Sequence, residues 1–334
     1  MVLQSFTVEQ LAGQRLMVGF DGLVLDAELK YLIDTLKVAG LVLFKRNIES
    51  PEQIRRLCVS AQEYARACGQ PPLLIAIDQE GGQVARLKKP FTEFDGQPAM
   101  KDTDDAVRFA HICAKELKAV GINMNFAPVL DVAPLEMKSI MAGRSFGAEP
   151  HRVALMGETV IQHLQENGVM AVVKHFPGIG RTILDSHLDL PTLDSSLSEL
   201  ESFDLIPFQR AINANVAGMM LSHIMYPQLD ADWPASLSPV IAKTLLRRQL
   251  GYQGVVITDD LDMGAIVKYF GFENAVLQVM AAGIDIALIC HRSEKMEMGV
   301  NAIRSRLNRS ESDYERCRIS VNRILSLKNR FLTA

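Results

Sequence analysis

Lys174-His175-Phe176-Pro177-Gly178, followed after a short Gly- and Thr-containing segment by Asp185-Ser186-His187, places one Lys, one Asp and two His within fourteen residues. The block follows an apolar run, Val169 to Val173, that reads as a buried strand. In an α/β protein the loop after a strand is where ligands bind and chemistry happens. Residues two apart in a tight turn bring a carboxylate to an imidazole, and an ion pair of that kind raises the imidazole pKa towards working pH. A His held in this way can donate a proton to a departing group. Combined with an ionised Asp as nucleophile, it supplies the pair of groups that a retaining glycosidase sets on opposite sides of an anomeric carbon. Taken alone, the Asp-Ser-His triplet reads more readily as an Asx-type turn with an incidental His.

Other chemistries fit the inventory less well. Gly178-Ile179-Gly180-Arg181 lacks the third glycine of a dinucleotide fingerprint and the Gly-Lys-Ser/Thr of a phosphate loop, and Gly81-Gly82 is only a pair. Metal-assisted hydrolysis is the competing reading, since Asp and His at strand ends can hold zinc or a dinuclear pair. The sequence has neither a His-x-His nor a His-Glu-x-x-His, and its acidic run Asp259-Asp260-x-Asp262, which would suit magnesium, has no partner run.

The elements that must position these residues are legible as hydrophobic runs. Short, β-branched-rich apolar segments recur at about residues 15–20, 40–44, 73–77, 122–127, 169–174, 217–222, 254–258 and 284–289. The stretches between them are long enough for a helix each. Ser50-Pro51-Glu52-Gln53 combines an N-cap, a proline at the first helical position and a capping-box partner, with Gly69 closing that helix, and Ser238-Pro239 opens another that Gly251 ends. Continuous apolar strands alternating with helices predict an α/β fold with a parallel sheet covered on both faces. Eight such units in one uninterrupted chain predict a single closed (β/α)₈ barrel over residues 1–334, with no linker or low-complexity tract to divide it.

A barrel puts its chemistry at the C-terminal ends of its strands. Those ends read Lys45-Arg46-Asn47, Asp78-Gln79-Glu80-Gly81-Gly82, Asp131, Lys174-His175, Ser222-His223, Thr258-Asp259-Asp260 and Cys290-His291. The period of two puts Asp78 on one face with Leu74 and Ala76, Lys174 with Val172, and Asp259 with Val255 and Ile257. A formal charge of −4 over 334 residues leaves no basic footprint for nucleic acid or an anionic membrane. The N-terminus shows no targeting pattern, no apolar run approaches a bilayer span, and five widely spaced cysteines form no Cys-x-x-Cys pair. The expectation is a soluble, reduced, cytoplasmic protein with a small neutral or weakly charged partner.

Lys174-His175-Phe176-Pro177-Gly178 with Asp185-Ser186-His187 and Pro191 resembles the signature of the bacterial single-domain β-N-acetylglucosaminidases of glycoside hydrolase family 3. The resemblance extends through Gly40 to Phe44 with Arg46-Asn47, Asp78 to Gly82 with Arg86, Pro98-Ala99-Met100 and Asn125 to Val132. It continues through Gly143-Arg144-Ser145-Phe146-Gly147, Ser222-His223 and Thr258-Asp259-Asp260-Leu261-x-Met263.

It implies a retaining exo-β-N-acetylglucosaminidase acting on peptidoglycan fragments or related amino-sugar disaccharides, with no metal or organic cofactor. Asp259 would be the nucleophile, His187 the acid/base and Asp185 the group that orients and charges it. Asp78, Arg86, Arg144, Lys174 and His175 would bind the sugar hydroxyls and the acetamido group. The chain departs from the family pattern at Ile179 and Arg181, where relatives carry a His and an Asp or small residue, and over Met137 to Ala142, where they carry an Asn-Pro and an Ile-Gly run. Substrate-assisted attack by the acetamido oxygen, a glucoside in place of an amino sugar, phosphate in place of water, and a sugar-binding barrel without turnover are the alternatives left open.

Overall fold

The computed structural model describes residues 6–182, 190–291 and 293–332. The strands in chain order are β1 (Leu16–Val18), β2 (Gly40–Leu43), β3 (Leu74–Ile77), β4 (Gln79–Gly81), β5 (Val84–Ala85), β6 (Met124–Asn125), β7 (Met170–Phe176), β8 (Gly218–Leu221), β9 (Val255–Asp260) and β10 (Ile286–Ile289). Eight of them, β1-β2-β3-β6-β7-β8-β9-β10, pair in parallel and close on themselves as β10 meets β1. Each of the eight expected apolar segments is a barrel strand. Residues 79–85 add an antiparallel hairpin, β4–β5, that the sequence does not announce.

Side-chain alternation sorts every strand into two faces. Met17, Val42, Leu74, Ala76, Met124, Met170, Val172, Met220, Val255, Ile257, Ile286 and Leu288 fill the barrel interior as one cluster. Their neighbours Leu16, Leu41, Ile75, Val173, Met219, Val256 and Ala287 face outward into a second cluster with the helices. Removing both faces from water, at roughly 1.5–3 kcal/mol per fully buried large apolar side chain, explains why the strands read as continuous apolar runs.

Helix signals act largely as expected. Ser50 caps the helix Pro51–Ala67 by accepting from the Gln53 N–H. The Gln53 side chain, however, accepts from the main-chain N–H of Glu49 and donates to the carbonyl of Leu23, so it ties the helix to a loop instead of closing a capping box. The segment Val240–Gln249 winds with wide, π-type turns.

The C-terminal helix Glu311–Leu332 sends Ile324 and Leu327 into the interior cluster alongside Ala39 and Ala217, at the entry ends of the strands. The barrel is thus plugged below, leaving the opposite mouth for ligands. The plug buries Lys328, whose Nζ donates to Gln14 Oε1 at 2.8 Å. Burial pushes this ammonium down to about 7. The unfolded Lys, titrating near 10.4, binds more protons than the folded one between those values, so stability rises with pH across that window. The melting temperature of Lys328→Met relative to wild type should therefore be higher at pH 6 than at pH 10, whatever constant cost the orphaned Gln14 oxygen adds. A gap that does not change with pH would count against a depressed Lys328.

Candidate active site

The interior alternation runs out of the barrel core and continues into charge. Beyond Leu74 and Ala76 comes Asp78, beyond Met170 and Val172 comes Lys174, and beyond Val255 and Ile257 comes Asp259. All three line a cavity of about 470 Å³ at the C-terminal mouth, with Arg86, Arg144 and His175 on the same walls. The six sugar-site and nucleophile residues expected within the described chain therefore converge.

Lys174 is the hub. Its Nζ lies 2.7 Å from Asp78 Oδ1 and 2.6 Å from Glu80 Oε1. Arg86 donates to the other Asp78 oxygen at 3.0 Å, and Arg144 grips Glu80 with two bonds of 2.7 and 3.0 Å. Burial raises the Asp78 carboxyl, but Lys174 and Arg86 outweigh it and hold the group at about 2. Glu80 is lowered likewise, with burial opposed by Lys174 and Arg144.

The β4–β5 hairpin brings Glu80 and Arg86 into this lattice. The Gln79 side chain zips it by accepting from the main-chain N–H groups of Arg86 and Leu87. Its turn uses Gly81 and Gly82 at φ +88° and +62°, and a Cβ on Gly82 would stand 2.8 Å from the Asp95 carbonyl. The glycine pair is thus a tight hairpin turn. Glu80 is a site residue that sequence reasoning left without a role; its signal was its place two residues beyond Asp78.

Asp259 and Asp260 are separated by environment. Burial raises Asp259, but His223 and His175, the N–H of Asp260 and Lys174 together bring it below the ordinary carboxylate value. Burial pushes Asp260 up to about 7, with Asp262 and Asp259 adding to the rise. One carboxylate is ionised and aimed into the cavity while its neighbour is held close to neutral. That is the division of labour needed where one group attacks and the next must not repel it. His175 is oriented from beneath: its Nδ1 sits 2.7 Å from the fully buried Asp131, whose second oxygen accepts from the Ile179 N–H at 2.7 Å.

Asp185 and His187 lie outside the described residues. The chain leading to them is anchored. Arg181 makes bonds of 2.5 and 3.1 Å to one oxygen of buried Asp204, and its guanidinium lies 5.8 Å from the Phe203 ring centre. Ile179 is buried in the outer core, and a Cβ on Gly180 would collide with the Val132 carbonyl. Beside it the Ile140 N–H donates to the Thr182 carbonyl, and Met141 is buried. The two departures from the family pattern therefore meet at the Ile140 N–H, which is bonded to the residue next to Arg181.

The cavity rim holds further groups to which the sequence assigned no part in the site. The Phe44 ring packs against His291 with centroids 5.4 Å apart, and Asp262 is tied to Lys295 at 2.6 Å. Among the described residues, no group of three or more His, Cys, Asp or Glu side chains is disposed to hold a metal ion. No helix among them is long and apolar enough to cross a membrane.

The profile of the glycosyl hydrolase family 3 N-terminal domain matches residues 7–327. Beta-hexosaminidase A of Pseudoalteromonas piscicida is 34% identical over 97% of the chain, which spans 61% of that protein. Beta-hexosaminidase of Pseudomonas aeruginosa is 35% identical over 86% of each sequence. The structure of a glycoside hydrolase family 3 beta-N-acetylglucosaminidase from Paenibacillus sp. str. FPU-7 superposes with a TM-score of 0.93 at 39% identity, over 98% of this chain and 63% of that one.

Proposed function

The chain belongs to glycosyl hydrolase family 3, and from that premise we propose that it is a retaining exo-β-N-acetylglucosaminidase. It removes terminal β-linked N-acetylglucosamine from peptidoglycan fragments or related amino-sugar glycosides, in the cytoplasm, with residues 1–334 as one catalytic barrel domain. The observation that supports this best is one cavity in which an ionised, buried Asp259 lies with Asp78, Arg86, Arg144, Lys174 and His175. Charged donors and acceptors fixed by one another are suited to hydroxyl and acetamido groups, because they bind without reorganising.

Asp259 attacks the anomeric carbon as the bond to the aglycone oxygen breaks, and His187, charged by Asp185, gives that oxygen its proton. A glycosyl ester on Asp259 results. His187 then takes a proton from water, which attacks the same carbon and frees Asp259, so two inversions return the original configuration. The route needs no metal or organic cofactor. It differs from substrate-assisted attack in that a 2-fluoro sugar should leave an adduct on Asp259, visible by mass spectrometry of the digested protein.

The test is incubation with a chromogenic β-N-acetylglucosaminide, following the aglycone by absorbance and the first-formed sugar by proton NMR. The β-anomer should appear first, in equal yield with and without phosphate or chelator. First release of the α-anomer, accumulation of a sugar phosphate, a preference for the glucoside, or saturable binding with no turnover would each replace this reading. In His187→Ala, loss of rate should be greater for a glycoside with a poor leaving group than for one with a good leaving group, since only the former needs the proton. Equal losses would remove His187 from the role of acid.

A further inference from the structure

The chemistry above leaves Ser222-His223 without a part to play. His223 follows β8 and is wholly enclosed. Its Nε2 lies 2.9 Å from the main-chain oxygen of Asp260, which can only accept, so the ring carries its proton at Nε2 and donates. Its Nδ1 lies 2.6 Å from Ser236 Oγ. Ser236 is in the short turn Ala235–Leu237, and its own N–H is bound back to the Ser222 carbonyl at 2.9 Å. The ring is therefore clamped on one side and delivers its single donor to the end of β9.

What that donor holds is the residue next to the nucleophile. The Asp260 carbonyl also accepts from the Met263 N–H at 3.0 Å. The Asp260 side chain accepts from the N–H groups of Asp262 and Cys290 at 3.0 and 3.1 Å. With both its carbonyl and its carboxyl tied, Asp260 directs its own N–H onto Asp259 Oδ1 at 2.9 Å. Resting on the proposed role of Asp259, we propose that His223 is a positioning residue of the reaction. Its bond to the Asp260 carbonyl sets the strand end from which the Asp259 carboxylate is aimed. Among the described residues, the groups that bear on Asp259 are His223 from beyond β8, His175 and Lys174 from β7, and Asp260 on its own strand, whose N–H it accepts. Loss of the ring's donor therefore alters the aim of the carboxylate and, through the Asp260 N–H, the hydrogen bond that keeps it ionised.

Asn and Gln separate this role from mere filling of space. In His223→Asn the amide oxygen takes the place of Nδ1 and keeps the Ser236 hydroxyl, but no donor reaches Asp260. In His223→Gln the amide N–H takes the place of Nε2 and keeps the Asp260 carbonyl. With the full chain and a chromogenic β-N-acetylglucosaminide, His223→Asn should lose about 100-fold in kcat with KM changed by less than about threefold, and His223→Gln should lose less than about tenfold. The acid limb of kcat/KM should move to higher pH in the Asn variant more than in the Gln variant. Equal losses in the two variants, unchanged rates, or a loss confined to KM would overturn the assignment. If wild type turns over no glycoside, the proposed function fails by itself. The positioning claim is then decided by a carbon-13 titration of Asp259, which must rise in His223→Asn relative to wild type and stay close to it in His223→Gln.

Discussion

Asp259→Asn is expected to lower kcat by at least about ten-thousand-fold, or about 5.5 kcal/mol of barrier at about 1.4 kcal/mol per tenfold, while leaving the fold and the melting temperature close to wild type. The amide keeps an oxygen for the Asp260 N–H, which Asp259 Oδ1 accepts at 2.9 Å, so the strand end has no reason to move. What is lost is the nucleophilic carboxylate, and nothing adjacent replaces it. Asp260 is pushed up to about 7 by its burial, and its Oδ1 is already committed to two main-chain N–H groups.

Asp260→Asn supplies the control. An amide oxygen can accept both of those bonds, and the group it replaces is largely neutral below pH 7, so at pH 6 this variant should keep activity within about tenfold of wild type. Steady-state kinetics on the two variants at pH 6 decides the assignment. If Asp260→Asn were the dead enzyme and Asp259→Asn the active one, the roles given to the pair would be reversed.

Lys174→Met should cost both stability and activity. The ammonium is shared by Asp78 and Glu80, and both carboxylates are below their ordinary values because of it and the two arginines. Removing one partner of a buried ionic cluster strands the opposite charge, at about 3–5 kcal/mol. For a chain of 334 residues, at roughly 2.1 cal/mol/K of unfolding entropy per residue, that corresponds to a fall in melting temperature of roughly 4–7 °C at pH 7. Loss of the hub also frees Asp78 from its fixed orientation, and kcat/KM should fall by more than about 100-fold.

The pH dependence distinguishes a stranded charge from simple loss of packing. In wild type the folded Asp78 pKa, about 2, lies below its unfolded value near 3.9, so its contribution is full above 3.9 and is lost as pH falls towards 2. In the variant the balance turns. Without the lysine, burial is opposed by Arg86 alone, the folded pKa rises, and protonation relieves the cluster at a higher pH than in wild type. Calorimetry should show the melting gap between variant and wild type narrowing from pH 7 to pH 4. A gap of constant size would mean that Lys174 acts as a spacer and not as a counter-charge.

How much of this was legible in the chain depends on how local the cause is. The eight strands were legible because a barrel strand loses water on both faces and must be apolar throughout. The same period of two that hides Leu74 and Ala76 brings Asp78 to the mouth, so the addresses of Asp78, Lys174 and Asp259 followed from counting. Counting also reaches Glu80, yet no chemistry could be assigned to it before its partners Lys174 and Arg144 were seen across the barrel. The β4–β5 hairpin escaped because its pairing rests on the Gln79 side chain and two positive-φ glycines rather than on an apolar run. The C-terminal helix is amphipathic, and amphipathicity states that a face is buried without stating where.

The sequence by itself determined the barrel and which residue types stand at its strand ends, because burial and side-chain alternation are properties of neighbours along the chain. It also marked Ile179 and Arg181 as departures. Only the tertiary structure gave Arg181 its partner, Asp204, 23 residues further on, and tied the departure at residues 137–142 to the same segment. Most of all, it divided Asp259 from Asp260. The two are identical in type and adjacent in sequence, and alternation, which turns Asp259 inward, says nothing of the protonation state of either. Their difference lies in what the fold brings against each: cations and a main-chain donor around one, burial beside further carboxylates around the other. Electrostatic environment is set by distance in space, and distance in space is what folding adds to a sequence.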